Sequence, residues 1–189
     1  MPSQNIPEER TRPTRTARVI VVSGVPGAGK STVARLLAQR SEHAAHIEAD
    51  ALQRMIVAGA RWPDPELTPE AEHQLRLRVT NGCRLADSFA AAGFDAVLDD
   101  IFVGDRIEHL RADLVARPFY FVMLNPSLDA LRSRNASRTK RDVFDQAQYL
   151  FPIVQSQTQR IGLWLDTTGL DATQTVDRIV GSLTAARVN

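Results

Sequence analysis

Nine consecutive residues carry the densest chemical signal in the chain: Gly24-Val25-Pro26-Gly27-Ala28-Gly29-Lys30-Ser31-Thr32. A polyphosphate needs many hydrogen-bond donors at close range and no bulky side chains in the way. Gly24, Gly27 and Gly29 let the backbone curl so that successive N–H groups point inward as an anion nest. Pro26 stiffens the curl by fixing its own φ. Lys30 then reaches toward the β- and γ-phosphates, and the Ser31 hydroxyl ligates magnesium. The spacing Gly24-x-x-x-x-Gly29-Lys30-Ser31 is the phosphate-binding loop pattern, and it predicts ATP held with Mg2+.

Three acids have the context to act with that loop. Asp50 follows a short apolar run directly. It is placed to accept a proton from a hydroxyl attacking the γ-phosphate, or to orient it; an N-cap for the next helix is the other use of an Asp there. Asp99 and Asp100 close the run Ala96-Val97-Leu98. A carboxylate at such a strand end holds the magnesium shell. Adjacent strand residues point to opposite faces, so only one of the pair faces the phosphates; Asp99 stands ahead of Asp100, but the residues alone do not decide. The acids at Asp95, Asp105 and Asp113 lack this context and are expected in solvent.

Other candidates lie around these acids. Arg54, one turn beyond Asp50, is placed to bind a polar acceptor or to pair with Asp50. Trp62, in Arg61-Trp62-Pro63-Asp64-Pro65, is a candidate for the acceptor pocket. A basic run, Arg132, Arg134, Arg138, Lys140 and Arg141, is denser than a solvated helix face needs. Arg132 and Arg134 are expected at the adenine or phosphates, while Arg138 and Arg141 reach the transferring group when a lid closes. His43, His46, His73 and His109 show no metal-ligand spacing and receive no role.

Elements that could position these groups alternate along the chain. Val19 to Ser23 is a β-branched run of a strand buried on both faces. Val33, Leu36 and Leu37 mark the helix after the loop. Further strands are predicted at 45–48, 96–100, 119–124 and 163–167. Helices are predicted at 51–60, 68–92, 104–116, 127–134, 143–160 with a break at Pro152, and 171–187. The stripe of the longest is Leu75, Val79, Cys83, Ala86 and Phe89. Strand–helix alternation implies an α/β fold, a five-stranded parallel sheet with helices on both faces joined by right-handed crossovers. Ligands in such sheets bind beyond the carboxyl ends of the strands, where the loop, Asp50 and Asp99-Asp100 converge.

Length and composition bound the rest. The 189 residues suit one domain, read as 18–189 behind a flexible tail at 1–17, with a lid at about 132–148. Arginines 10, 12, 15 and 18 belong to that tail as solvated charge. A net charge of +1 gives no global pull toward nucleic acid or a membrane surface. A single cysteine, Cys83, excludes an internal disulfide and reads as helix-core filler, which with the polar N-terminus points to a cytoplasmic protein.

On these residues the chain resembles the small P-loop kinases of the nucleoside-monophosphate-kinase superfamily. It is most similar to the branch holding chloramphenicol phosphotransferase and shikimate, gluconate and adenylylsulfate kinases. Gly24 to Thr32 matches the loop, Ile47 to Leu52 the strand end with a substrate-side Asp, and Val97 to Asp100 the third strand. Segment 132–141 resembles the lid, and Leu165 to Leu170 the loop beside the adenine. The resemblance implies a three-layer P-loop fold and MgATP-dependent transfer to a small-molecule acceptor. A monomer or homodimer is expected, with no membrane partner. Two further readings stay open: a nucleotide or polynucleotide 5′-kinase, and an ATP-binding switch without transfer.

Overall fold

The computed structural model describes residues 16–63, 67–136 and 142–189. Its centre is β1 (Val19–Ser23), buried at every position. β3 (Asp95–Asp99) pairs with one side of β1 and β4 (Phe119–Leu124) with the other, both parallel. β2 (Ala44–Glu48) lies outside β3 and β5 (Leu163–Leu165) outside β4, giving the order β2-β3-β1-β4-β5. The chain order reverses about β1, so the crevice at the carboxyl ends of β1 and β3 is the topological switch point.

The helices are α1 (Lys30–Ala38), α2 (Ala49–Arg54), α3 (Pro69–Ala91), α4 (Arg106–Asp113), α5 (Leu128–Ala136), α6 (Phe144–Gln157) and α7 (Ala172–Gly181). α1 packs on α7 and α3 on α4. Consecutive residues of β3 show that the two pairs cover opposite faces. The Leu98 side chain reaches Gly82 of α3, while the Asp99 side chain meets Ser31 of α1. α3 starts as its sequence dictates: Thr68 accepts from the Ala71 amide, and Pro69 opens the first turn, where no backbone donor is needed.

Several expectations are corrected. The C-terminal helix ends at Gly181; a 3-10 turn follows at Leu183–Ala186, and Arg187–Val188 forms β6, antiparallel to the start of β4. The sheet is therefore six-stranded with one antiparallel edge piece. α2 stops at Arg54, short of the predicted residue 60. α6 runs through Pro152 instead of breaking there. Pro152 and Gln148, four residues earlier, are both exposed, so water can reach the carbonyl that the missing N–H leaves free. Phe89 is not core; it lies 37% exposed at the edge of Phe94.

Two acids expected in solvent are held by the fold. Asp95 is fully buried and accepts from the Arg18 amide, the Arg18 guanidinium and the Ser41 hydroxyl. That also removes Arg18 from the tail; residues 1–15 lie outside the described ones. Asp113 accepts from Arg76 and from Thr80, and the Arg76 hydrogen bonds draw its carboxyl below the usual value. Cys83 is core filler as expected, and burial pushes its thiol up to about 12, which leaves it unreactive at neutral pH.

Candidate active site

The loop between β1 and α1 is a backbone device. Gly24, Gly27 and Gly29 have φ of 150°, 83° and 95°, all in the region that favours glycine. At Gly24 a second constraint applies: a Cβ would lie 2.7 Å from the Leu124 carbonyl oxygen of β4. Val25, Pro26 and Ala28 are buried beneath the loop, and Thr32 is exposed. Gly29 occupies the N-cap of α1 and offers no side chain to its first amides. Those orphan N–H groups and the positive end of the helix form a ready anion site. Lys30 Nζ donates to the Val25 carbonyl at 3.2 Å, which holds the ammonium at the loop. Burial lowers its pKa below the usual lysine value; Asp99, Asp100 and Asp50 oppose that shift, and Arg78 adds to it.

The two adjacent acids separate by face, as strand geometry requires. Asp99 Oδ2 accepts from Ser31 Oγ at 2.7 Å, and Asp99 Oδ1 lies 2.6 Å from His46 Nε2. Asp100 takes the other side: Arg78 Nη2 and Nε donate to it at 2.5 and 3.2 Å, and the Ile101 amide adds a third bond at 2.7 Å. Arg78 also brings Nη1 to 3.7 Å from Asp50 Oδ1. The Arg78 side chain is 5% exposed and that of Asp50 59%, so a buried cation steadies an acid that opens to solvent.

Asp50 lies inside the first turn of α2; Glu48 is the N-cap residue, so capping does not account for Asp50. Arg54 does not pair with Asp50. It lies exposed, 3.7 Å from Glu48. Trp62 is 41% exposed in the loop between α2 and α3. Arg106 opens α4 just beyond β3, half-buried, with no ion-pair partner among the described residues. Burial lowers its pKa, against the pull of nearby Asp100.

On the opposite side, Arg134 donates to the carbonyls of Thr167 and Leu170 at 2.5 and 3.1 Å, which ties α5 to the loop after β5. Arg132 is exposed, with its guanidinium 5.1 Å over the Phe144 ring. A cavity of about 390 Å³ opens beside that loop, lined in part by Asn125, Phe151, Gln155, Asp166 and Thr168. Arg138 and Arg141 lie outside the described residues.

Ser31 and Asp99 supply hard oxygen donors in contact with each other beside the loop, the kind Mg2+ takes alongside phosphate and water. Among the described residues no cluster of three His, Cys, Asp or Glu side chains could hold a metal by itself; a Mg2+ at the Ser31–Asp99 pair would take the rest of its shell from water and phosphate oxygens. Among the same residues no helix is long and apolar enough to cross a membrane.

Arg78, Arg106 and His46 were missed at the sequence level. Arg78 did leave a signal: it stands in the apolar stripe of α3, one turn from Leu75 and Gly82, where a solvated arginine has no place. His46 had only its place on a strand beside the acid-bearing one.

Residues 19–162, from β1 to the start of the fifth strand, match the family model of the AAA domain. The chain belongs to this AAA domain family. Solved structures repeat the family fold at low identity. The shikimate kinase from Bacteroides thetaiotaomicron aligns with a TM-score of 0.61 at 19% identity, over 88% of this chain and 98% of that one. The gluconokinase from Sinorhizobium meliloti 1021 gives 0.59 and 21%, over 90% and 93%. The Mycobacterium tuberculosis APS kinase, in complex with AMPPNP and APS, gives 0.64 and 16%, over 89% and 98%. No curated protein matches the chain.

Proposed function

We propose that the protein is an ATP-dependent phosphotransferase that moves the γ-phosphate to a hydroxyl of a small molecule. One observation carries the reading: the glycine loop with Lys30, the Ser31–Asp99 pair and the Arg78-steadied Asp50 all meet at the carboxyl ends of β1, β2 and β3. Kinases among the structures of the same fold support it.

Each group then has a task. The loop amides of Gly24 to Ser31 and Lys30 grip the polyphosphate. Ser31 and Asp99 would hold Mg2+, which when bound draws charge from the phosphoryl oxygens. Asp50 orients the acceptor hydroxyl and takes its proton as the new O–P bond forms and the bond to the β-phosphate oxygen breaks, releasing ADP. Arg106, with no ion-pair partner among the described residues, is available to an anionic or strongly polar group on the acceptor. Arg134 braces the loop beside the base, with Arg132 nearby. Arg138 and Arg141, which lie outside the described residues, are the sequence's candidates for meeting the transferring group. Arg54 and Trp62 border the acceptor.

The test is transfer of labelled γ-phosphate across a panel of hydroxyl-bearing metabolites and antibiotics, with Asp50→Asn as partner. Transfer to one acceptor class is expected, with turnover reduced about 100-fold or more in Asp50→Asn and ATP affinity kept. Full turnover in Asp50→Asn would remove that residue from the chemistry. Phosphate release that no acceptor accelerates would favour a nucleotide switch.

A further inference from the structure

His46 brings a ring nitrogen into the magnesium-side cluster, although its spacing gave it no role. Its Nε2 lies 2.6 Å from Asp99 Oδ1, opposite the bond that Ser31 Oγ makes to Oδ2 at 2.7 Å. Both side chains are withdrawn from water, Asp99 at 4% and His46 at 19% exposure. The sheet register imposes the contact. Glu48 stands opposite Asp99 and His46 opposite Val97, so the imidazole shares the face of Asp99 one diagonal step away. With Ser31 committed to Oδ2, the carboxylate oxygen Oδ1 accepts, and the ring presents its proton on Nε2.

A buried carboxylate with one fixed oxygen can still swing about its Cβ–Cγ bond. A donor on each oxygen fixes its plane. We propose that His46 is a positioning residue for magnesium: it holds Asp99 Oδ1 so that the carboxylate stays aimed at Ser31 and at the ion they would share. The proposal rests on the nucleotide reading given above. It assigns His46 no contact with phosphate or acceptor. Residues that orient a metal-binding group in this way change metal affinity about 10–100-fold when removed.

The experiment is calorimetric binding of ATP to the full chain, first in EDTA and then across a magnesium series, for the wild type, His46→Phe and His46→Gln. Phenylalanine fills the space without a donor; the glutamine amide nitrogen reaches about as far as Nε2. His46→Phe should keep its metal-free ATP affinity while the magnesium needed for half-maximal enhancement rises about 10-fold or more. His46→Gln should return that requirement close to the wild-type value. An unchanged magnesium requirement in His46→Phe overturns the proposal. An equal loss of ATP affinity with and without magnesium also overturns it, because it marks a role in folding alone. If His46→Phe does not fold, His46→Asn, whose shorter amide stops short of Asp99, is read by the same criteria. A wild type that binds no ATP in either condition defeats the nucleotide reading itself, a result distinct from the other two.

Discussion

The glycine loop and the wall that carries Asp50 face one crevice but are built from different materials. The loop is backbone: three glycines with positive φ, a helix end and one lysine, all within eight positions. The wall is side chains drawn from far apart. Arg78 meets Asp100 across 22 positions and Asp50 across the gap between α3 and α2. The loop concentrates backbone amides and the Lys30 ammonium at one edge of the crevice, with Asp99 answering at Ser31, so it is prepared for an anionic ligand. Within the wall Arg78 pairs with buried Asp100 and steadies Asp50, so this pairing supports the fold while it aims Asp50. Ligand-directed charge and fold-directed charge are thus divided between the two sides.

That division can be broken by substitution. Lys30→Met should cut turnover about 1,000-fold, on the scale of losing a preorganised charge stabiliser. It should not lower the melting temperature. Burial holds the Lys30 pKa below its ordinary 10.5, so the folded state bears a cost for the charged form at pH 7. That cost fades as pH rises toward 10.5, and the variant's advantage over the wild type should fade with it. A marked fall in melting temperature at pH 7 would place Lys30 among the fold's supports instead. Arg78→Met should do the reverse. It leaves Asp100 buried and unpaired, which costs about 3 kcal/mol or more. The melting temperature should fall by roughly 6–12 °C in a domain of this size. A variant as stable as the wild type would show that the wall is not a fold support. The smallest effect lies outside both regions. Asp113 titrates below its ordinary 3.8 in the fold, chiefly through Arg76, so its contribution is present above that value and is lost as pH falls through the lower, folded one. Asp113→Asn should lower stability at pH 7 by about 1 kcal/mol, flatten the decline below pH 4 and leave turnover alone.

The same contrast explains what was legible in the sequence. The loop, β1 and α1 could be read because their determinants are neighbours in the chain: a β-branched run, then glycines at fixed spacing, then a helical stripe. The parallel sheet followed from alternation. Arg78, Arg106 and His46 were not legible, since their meaning depends on which strand lies beside which. The order β2-β3-β1 puts His46 next to Asp99, and no local pattern states that order. Asp95 was misread for the same reason, because its partner Arg18 is 77 positions away. Helical spacing puts Arg54 on the face of Asp50 and leaves pairing with it as one of two uses; the fold instead brings its guanidinium to Glu48 at the end of β2.

The central claim is that the loop amides and Lys30 grip a polyphosphate whose far end meets Ser31 and Asp99. Isothermal calorimetry of the full chain with millimolar ATP and Mg2+ tests it directly. The account predicts saturable binding that weakens when EDTA removes the metal and disappears in Lys30→Met. A folded wild-type sample that gives no binding heat, or an equal heat in Lys30→Met, would contradict it.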